Sequence, residues 1–556
     1  MDGTLSQRRI GLLFLVFCVF FAIAAGRAAW LGVVKASTLK QAAATQQRAT
    51  VEVPAARGTI TDRRGVELAV SQPASDVSAT PYLVRDPAKA AEKLAPLIGV
   101  PSDEILRKLT ERGSGFAYLA RKVPAAQAHK VDQLDIAGID TTPTSRRAYP
   151  RDWLASQILG TVGTDGDGLS GLEYRYDKVL HGQDGERSVV RDATGEAINT
   201  RDPKPAKPGR SIRLTIDAGI QDRVEEVLGK VGETYSPKGA TAVVMNPDTG
   251  DVLALGNWPK VNANDLAGAP DYARQNRAVG FTYEPGSTFK PFTVAGALEE
   301  REVTEDTMFN LPPQIQVADR TIGESHDRGW VSLTTSQILA QSSNVGTIMI
   351  GQRLGAKRFD RWVRRFGFGK PTGVDLPGEE SGLVLPLDKY SGSSMGNLPI
   401  GQGESVTPMQ LAAGYAAIAN GGILRKPRLI DKIGGKTVPD PKGHRVISPQ
   451  TAKEVRDMLK GVVAAGGTAS EVKIEGYSLA GKTGTANKVD PETGTYSKSK
   501  YIASFAGFAP ADNPKLLITV MVDEPGGGSI YGGEVAAPAF EEIAKFALPY
   551  LGIAPR

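Results

Sequence analysis

The longest apolar run lies at the N-terminus, where the chain carries no charge from Ile10 to Gly26, directly after Arg8 and Arg9. As a helix rising ~1.5 Å per residue this run spans roughly 25 Å, and Ala28 to Val34 extend it toward the ~30 Å of a hydrocarbon core. In that extension Arg27 snorkels and Trp30 lies at the interface, with Arg8 and Arg9 held in the cytoplasm. Ala22-Ile23-Ala24 offers a small-residue cleavage site, but a signal core is typically only about 7 to 15 residues. The pattern therefore predicts a cytoplasmic tail over 1–9 and a retained single-pass anchor over 10–34. Everything after it lies outside the cytoplasmic membrane, where ATP is not available.

Beyond the anchor the patterning turns mixed. Residues 35–56 are polar and alanine-rich and predict a helical continuation or stalk. Val66, Leu68 and Val70 alternate after a turn at Gly65, predicting a hairpin. Ala90, Leu94, Leu97 and Ile98 typify the amphipathic helical patterns of 86–136, so 35–200 reads as a compact α+β module. Asp202-Pro203-Lys204-Pro205-Ala206-Lys207-Pro208-Gly209-Arg210 can sustain neither a helix nor a central strand, which sets a linker over 201–210. A larger α/β-type domain then occupies 211–556. It opens with alternating Ile212, Leu214 and Ile216, a helix from Gln221 to Leu228, and a strand-turn-strand unit from Thr241 to Leu255.

Composition narrows the chemistry. At 556 residues the chain suits three or four structural units of about 150 residues each. Its net charge of +5 is too small for a nucleic-acid footprint. A single cysteine, Cys18, and four scattered histidines exclude a Cys/His zinc site, and no metal or cofactor is expected. Gly166-Asp167-Gly168-Leu169-Ser170-Gly171 matches the dinucleotide fingerprint in letters only. Asp165 and Asp167 place negative charge where a pyrophosphate must sit, so these are read as turn glycines.

Attention turns to nucleophiles. Ser287-Thr288-Phe289-Lys290 stands at a predicted helix start, where positions i and i+3 share a face and bring the amine to the hydroxyl. A lysine made neutral by burial or by a second cation accepts the serine proton without any histidine. Pro291 predicts an irregular first turn. Ser-x-x-Lys by itself is weak, since Ser37/Lys40, Ser470/Lys473 and Ser497/Lys500 repeat it. The company of Ser287 is what distinguishes it: Ser342-Ser343-Asn344 follows, and then Lys482-Thr483-Gly484.

Ser287-x-x-Lys290, Ser342-x-Asn344 and Lys482-Thr483-Gly484 resemble the three signatures of the penicillin-binding protein and serine β-lactamase superfamily. Tyr283-Glu284-Pro285-Gly286, Gly401-Gln402-Gly403 and Tyr531-Gly532-Gly533 resemble class B penicillin-binding proteins, as do Arg57-Gly58-x-Ile60-x-Asp62-Arg63, Arg147-x-Tyr149-Pro150 and Gly168-Leu169-Ser170-Gly171-Leu172-Glu173. The likeness covers nearly the whole chain. Departures at Arg64 and at Arg151-Asp152 lie in the non-catalytic module. The resemblance implies a multidomain protein: one transmembrane helix, an α+β pedestal of the dimerisation type, and an α/β transpeptidase domain whose antiparallel sheet is flanked by helices.

It also implies roles. Ser287 attacks the carbonyl between two terminal D-alanines of a peptidoglycan stem peptide, with Lys290 as general base. Ser342 relays a proton to the leaving amine while Lys482 keeps the local field positive, and Asn344 binds the donor peptide. Thr483 and Thr485 hold the terminal carboxylate, and the amides of Ser287 and Thr485 form an oxyanion hole. Two residues are also readable without the resemblance: Lys482 is the second cation that lowers the Lys290 pKa, and Gly484 leaves the strand edge open to substrate.

The implied partners are stem peptides on lipid-linked glycan strands, β-lactams, a polytopic SEDS-family glycosyltransferase and other division membrane proteins. Tyr283-Glu284-Pro285-Gly286 and the lack of obvious long insertions favour the septal over the elongation type. A non-catalytic division scaffold is disfavoured by the intact signatures, and a β-lactam sensor by the short N-terminal tail. A D,D-carboxypeptidase differs only in passing the acyl group to water. Glu173 is read as a coupling residue or a surface or turn carboxylate, and His326 as an exposed loop histidine without a role.

Overall fold

The structure, a computed structural model, describes residues 3–35, 48–111, 115–191, 197–266, 268–490 and 492–555. An apolar helix α1 (Gly3–Ala29) continues as a wider helical turn through Trp30–Val34. Among the described residues it is the one helix long and apolar enough to cross a membrane. Its span Arg9–Val33 has a mean hydropathy of 2.4 in its most apolar window, and none of that window is buried. Arg27 and Lys35 both lie over the Trp30 ring, at 5.3 and 4.7 Å from its centroid, as suits an indole at a membrane interface.

The chain forms two compact units. The first comprises Met1–Ala56, Ala74–Ser145 and Gly182–Pro208. Its core gathers Val77, Leu94, Ile105, Leu119 and Val131. The helix Pro87–Ile98 turns Ala90, Ala91, Leu94 and Ile98 inward, begins on the Asp86 cap and stops at left-handed Gly99. A helical continuation over 35–56 is not what the structure has at its C-terminal end. Arg48–Val53 is a strand, pairing antiparallel with Gly185–Arg191, while residues 36–47 of that expected stalk lie outside the described residues. Threonine and valine at 50, 51 and 53 suit a ladder better than a helix. Ala197–Lys204 completes this sheet at its edge, so the first residues of the proline-rich connection finish a strand, at a position where Pro203 is tolerated.

The second unit comprises Arg57–Pro73, Arg146–His181 and Gly209–Arg556. The expected hairpin is present: Ile60 pairs with Ala69 and Thr61 with Glu67 around Gly65, whose φ is +91°. Asp62 closes the turn by accepting from the amides of Arg64 (2.7 Å) and Val66 (2.8 Å), and its other oxygen accepts from Ala218 (3.0 Å). Helix α2 (Ala218–Tyr235), capped by Asp217, precedes strands β1 (Gly239–Met245) and β2 (Val252–Trp258). Later come α3 (Lys290–Glu299), α4 (Asn344–Leu354), α5 (Pro408–Ala419) and α6 (Pro449–Val463). Strands β3 (Ala480–Val489), β4 (Tyr496–Ala509) and β5 (Leu516–Asp523) and helix α7 (Ala537–Tyr550) complete the unit.

The five strands form one antiparallel sheet in the order β2-β1-β5-β4-β3. Central β1 and β5 are buried along their whole length, so they read as continuous apolar runs. Helices α2 and α7 pack on the sheet and on each other, and α5 also packs against β1 and β5. The sheet is therefore flanked by helices, and β3, which carries the third signature, is its edge strand.

Glu173 is neither exposed nor at the surface. It is wholly buried, accepting from Arg57 Nε and Arg147 Nε at 2.6 Å each, while Arg57 Nη2 donates to its carbonyl at 2.8 Å. Arg57 Nη1 continues to Asp177 (2.7 Å) and to the Gly166 carbonyl (3.1 Å). The glycines of the false dinucleotide fingerprint wrap this cluster: a Cβ on Gly168 would lie 2.0 Å from the Glu173 carbonyl oxygen.

Candidate active site

Ser287, the candidate nucleophile, stands on a tightly packed turn. Gly286–Phe289 is a short 3-10 segment, and α3 starts at Lys290, so Pro291 falls in the first helical turn where its missing N–H breaks no bond. Phe289 and Phe292 are buried among Phe366, Phe368 and Tyr415, with the closest centroids about 5 Å apart. Tyr415 donates to the Thr288 carbonyl (2.8 Å) and Thr288 Oγ1 to the Pro285 carbonyl (2.7 Å). Gly286, at φ +53°, donates its N–H to the Gly401 carbonyl at 2.9 Å. Gly401 has φ +80°, and a Cβ there would lie 2.1 Å from the Gly286 oxygen, so both positions need glycine. Ser287 is half-buried, and its hydroxyl makes no hydrogen bond with a described residue.

Lys290 is fully buried. Its Nζ donates to the Ser342 carbonyl (2.6 Å), Asn344 Oδ1 (2.7 Å) and Ser342 Oγ (3.3 Å), so the first two signatures meet at one amine. This needs a kinked backbone: Ser342 has φ +60°, and Ser343 caps α4 by accepting from the Gly346 amide (3.0 Å). Asn344 Nδ2 donates to the Gly323 carbonyl (3.1 Å), which orients the amide so that its oxygen meets the lysine.

Burial lowers the Lys290 pKa to about 7, against the opposing pull of the Glu324 carboxylate. Lys482, also fully buried, falls well below the usual lysine value through burial first and then the charge of Lys290. The sequence expectation that Lys482 depresses Lys290 is thus reversed in emphasis. Burial depresses Lys290, and on Lys482 the charge of Lys290 adds to burial in the same direction. Lys482 Nζ donates to the Thr483 carbonyl at 3.2 Å.

On β3, Thr483 Oγ1 pairs with Thr468 Oγ1 (2.7 Å), and Thr485 Oγ1 accepts from the Gly532 amide (3.2 Å). Gly484 has a second reason for being glycine besides an open edge. A Cβ would lie 2.4 Å from Ser504 Oγ, 2.9 Å from Thr288 Cγ2 and 3.1 Å from the Pro285 carbonyl, so the nucleophile turn packs directly on it. Gly484→Ala is expected to push that turn away and slow acylation of Ser287 by roughly a hundredfold, measured by stopped-flow with a chromogenic cephalosporin.

Three acidic residues escape sequence reasoning. Glu324, with only 7% of its side chain exposed, accepts from Ser343 Oγ (2.6 Å) and from the amides of Asn344 (2.6 Å) and Val345 (3.3 Å), and pairs with Arg328. It reaches α4 from the end of a hairpin, Gln314–Val317 with Arg320–Gly323, and no fixed spacing announces this. Glu284, inside the quoted Tyr283–Gly286 string, accepts from Tyr496 Oη (2.9 Å) and the Gly403 amide (3.0 Å). Burial raises its pKa, and burial together with the Glu284 charge pushes neighbouring Glu404 well up. His326 is exposed and stacks on Tyr531, with centroids 5.6 Å apart. One metal-like group occurs among the described residues, Asp167, Asp177 and His181, but Asp177 is already committed to Arg57 and the Gly168 amide. The other Ser-x-x-Lys copies lack the helical setting: Ser497/Lys500 lies on β4 and Ser470/Lys473 in a turn, while Ser37/Lys40 is outside the described residues.

Comparison with known proteins matches residues 240–545 to the penicillin binding protein transpeptidase domain and 52–214 to the penicillin-binding protein dimerisation domain. The chain is 37% identical to stage V sporulation protein D of Bacillus subtilis over 90% of its length and 79% of the relative's. It is 34% identical to the peptidoglycan D,D-transpeptidase FtsI of Escherichia coli K12, over 97% and 91%. Among solved structures, penicillin binding protein 3 from Mycobacterium tuberculosis in complex with aztreonam superposes with a TM-score of 0.71 at 31% identity. That match covers 91% of this chain and 98% of the other.

Proposed function

Since the chain belongs to the class B penicillin-binding proteins, serine-type D-Ala-D-Ala transpeptidases, we propose that it cross-links peptidoglycan stem peptides during septal wall synthesis and is acylated by β-lactams at Ser287. The observation that carries this reading is the Lys290 amine: fully buried, lowered to about 7, bonded to Ser342 and Asn344, and three residues from the serine. Ser287 Oγ attacks the penultimate D-alanine carbonyl as its proton passes to Lys290 Nζ. Collapse of the tetrahedral adduct breaks the C–N bond as the proton passes from Lys290 Nζ through Ser342 Oγ to the departing D-alanine amine, which leaves Lys290 neutral and Ser342 a hydroxyl again. An acceptor amine then attacks the ester, its proton passes to Lys290 and on to Ser287 Oγ, and the C–O bond breaks to release Ser287. Asn344 orients the donor peptide, the hydroxyls of Thr483 and Thr485 take its carboxylate, and the amides of Ser287 and Thr485 receive the oxyanion. Lys482, the second buried amine of the site, keeps the local field positive as negative charge enters the cleft.

In this reading α1 anchors the protein with its N-terminus in the cytoplasm, and a pedestal domain over 35–200 precedes a transpeptidase head over 211–556. Glycan polymerisation is left to a SEDS-family partner, and the septal assignment rests on Tyr283-Glu284-Pro285-Gly286. Incubation with a fluorescent penicillin tests the chemistry. The protein should carry one covalent label, lost completely in Ser287→Ala, and an unlabelled wild type sinks the enzyme reading. Mass analysis of products from donor and acceptor peptides separates cross-linking from hydrolysis, and the position of a tagged copy separates septum from sidewall.

A further inference from the structure

Every group that Lys290 meets in the second signature hangs from one short stretch, Ser342-Ser343-Asn344, and that stretch is strained. Ser342 sits in the left-handed region at φ +60°, which a non-glycine residue keeps only when its surroundings impose it. The turn that ends the helix Thr335–Ala340 imposes it, with the amides of Ser342 and Ser343 donating to the carbonyls of Leu339 (3.3 Å) and Ile338 (2.9 Å), and a carboxylate from outside the three signatures holds the residues that follow. One Glu324 oxygen accepts from Ser343 Oγ and from the Val345 amide, and the other accepts from the Asn344 amide. These donors open α4, a helix of 11 residues, where exposed N–H groups and the positive dipole end both favour a negative charge. The preceding residue, Gly323, accepts from Asn344 Nδ2, so consecutive residues fix the main chain and the side chain of Asn344 together.

We infer that Glu324 is a positioning residue for acylation, its carboxylate clamping the Ser342–Asn344 turn so that the carbonyl and amide oxygens it carries stay on the Lys290 amine. The clamp also has an electrostatic side. The charged groups around Lys290 are Lys482 from β3, Glu324 from the segment after the hairpin, and Arg328, which pairs with Glu324 and also approaches Ser343 Oγ at 3.4 Å. Glu324 stabilises the lysine ammonium against burial, and Arg328 offsets Glu324. Glu324 thereby sets the pH at which the base becomes available, as well as its orientation.

The inference rests on the proposed role of Lys290 as base, and two variants of the full-length protein test it by giving shifts of opposite sign. The readout is the second-order rate of Ser287 labelling by a fluorescent penicillin as a function of pH. Glu324→Gln keeps the size of the side chain but removes its charge. The ammonium loses support, the lysine pKa falls, and the acid limb moves to lower pH by about half a unit or more, while the plateau rate drops roughly tenfold or more as the turn loosens. Arg328→Met leaves Glu324 uncompensated, so the limb moves to higher pH. A residue that merely supports the fold would lower the plateau and leave the limb in place. Limbs that superimpose on wild type in both variants, or that move in the same direction, overturn the inference. Should Glu324→Gln not fold, Arg328→Met alone decides by the sign of its shift. Failure of the underlying enzyme reading looks different, because the wild type itself would then take no label.

Discussion

Lys290→Met lowers the rate of Ser287 acylation by a penicillin about ten-thousand-fold, the upper end of what one general base supplies. The size of the effect follows from the lack of a substitute. Lys482 is also buried, but its described hydrogen bond is to the Thr483 carbonyl, whereas the Lys290 amine, three residues along the chain from Ser287, is fixed by three acceptors of the second signature. In the wild type the same reaction should report the lysine directly. Its pKa is lowered to about 7 by burial, and only the neutral amine can accept the serine proton. Acylation therefore rises with pH through neutrality and levels off above it, since the ammonium predominates below the pKa and the base above it. A profile flat across neutrality, or a Lys290→Met variant still labelled within tenfold of wild type, would place the base elsewhere.

The second large effect is on stability. Glu173→Ala should destabilise the unit that contains it by about 3–5 kcal/mol, because it leaves the buried Arg147 guanidinium without a carboxylate and Arg57 with Asp177 as its remaining one. Arg57 is 7% and Arg147 4% exposed at the side chain, and Glu173 is the shared acceptor of both Nε atoms. Thermal unfolding of the purified ectodomain should begin several degrees lower, with the larger loss in Glu173→Ala than in Asp177→Ala, whose carboxylate is partly in solvent. Replacing Glu173, Arg57 and Arg147 together with apolar residues of similar volume should restore much of the loss, since it removes the charges instead of orphaning them. Equal melting of wild type and Glu173→Ala would show that the cluster contributes nothing net.

What could be read from the chain alone tracks how local its cause is. The anchor, the Gly65 hairpin and the paired strands β1 and β2 follow from apolar patterning and turn residues that act over a few positions. The three signatures were legible because each keeps fixed spacing within one turn or one strand. Glu324 was not, because it meets Asn344 across the strand Val331–Thr334 and the helix Thr335–Ala340, and an acidic residue in a polar loop looks like any solvated one. Glu173 misled for the same reason: its burial comes from Arg57 and Arg147, which lie far from it in sequence. At Gly484 the sequence offers the open strand edge as a reason for glycine, and the packing of Thr288 and Pro285 on the strand is a second reason that no local spacing shows. The 48–53 strand was missed because its partner, Gly185–Arg191, lies more than a hundred residues away.

The back-to-back contact of Gly286 and Gly401 bears on how such an enzyme can evolve under drug pressure. In the proposed function a β-lactam and the stem peptide acylate the same serine, so a side chain at either glycine would shift the Ser287 turn for both alike. Selection for slower reaction with the antibiotic has no profitable substitution there, because resistance gained would be wall synthesis lost. Heritable variation has to enter through residues that touch one ligand and not the other, farther out on the walls of the cleft.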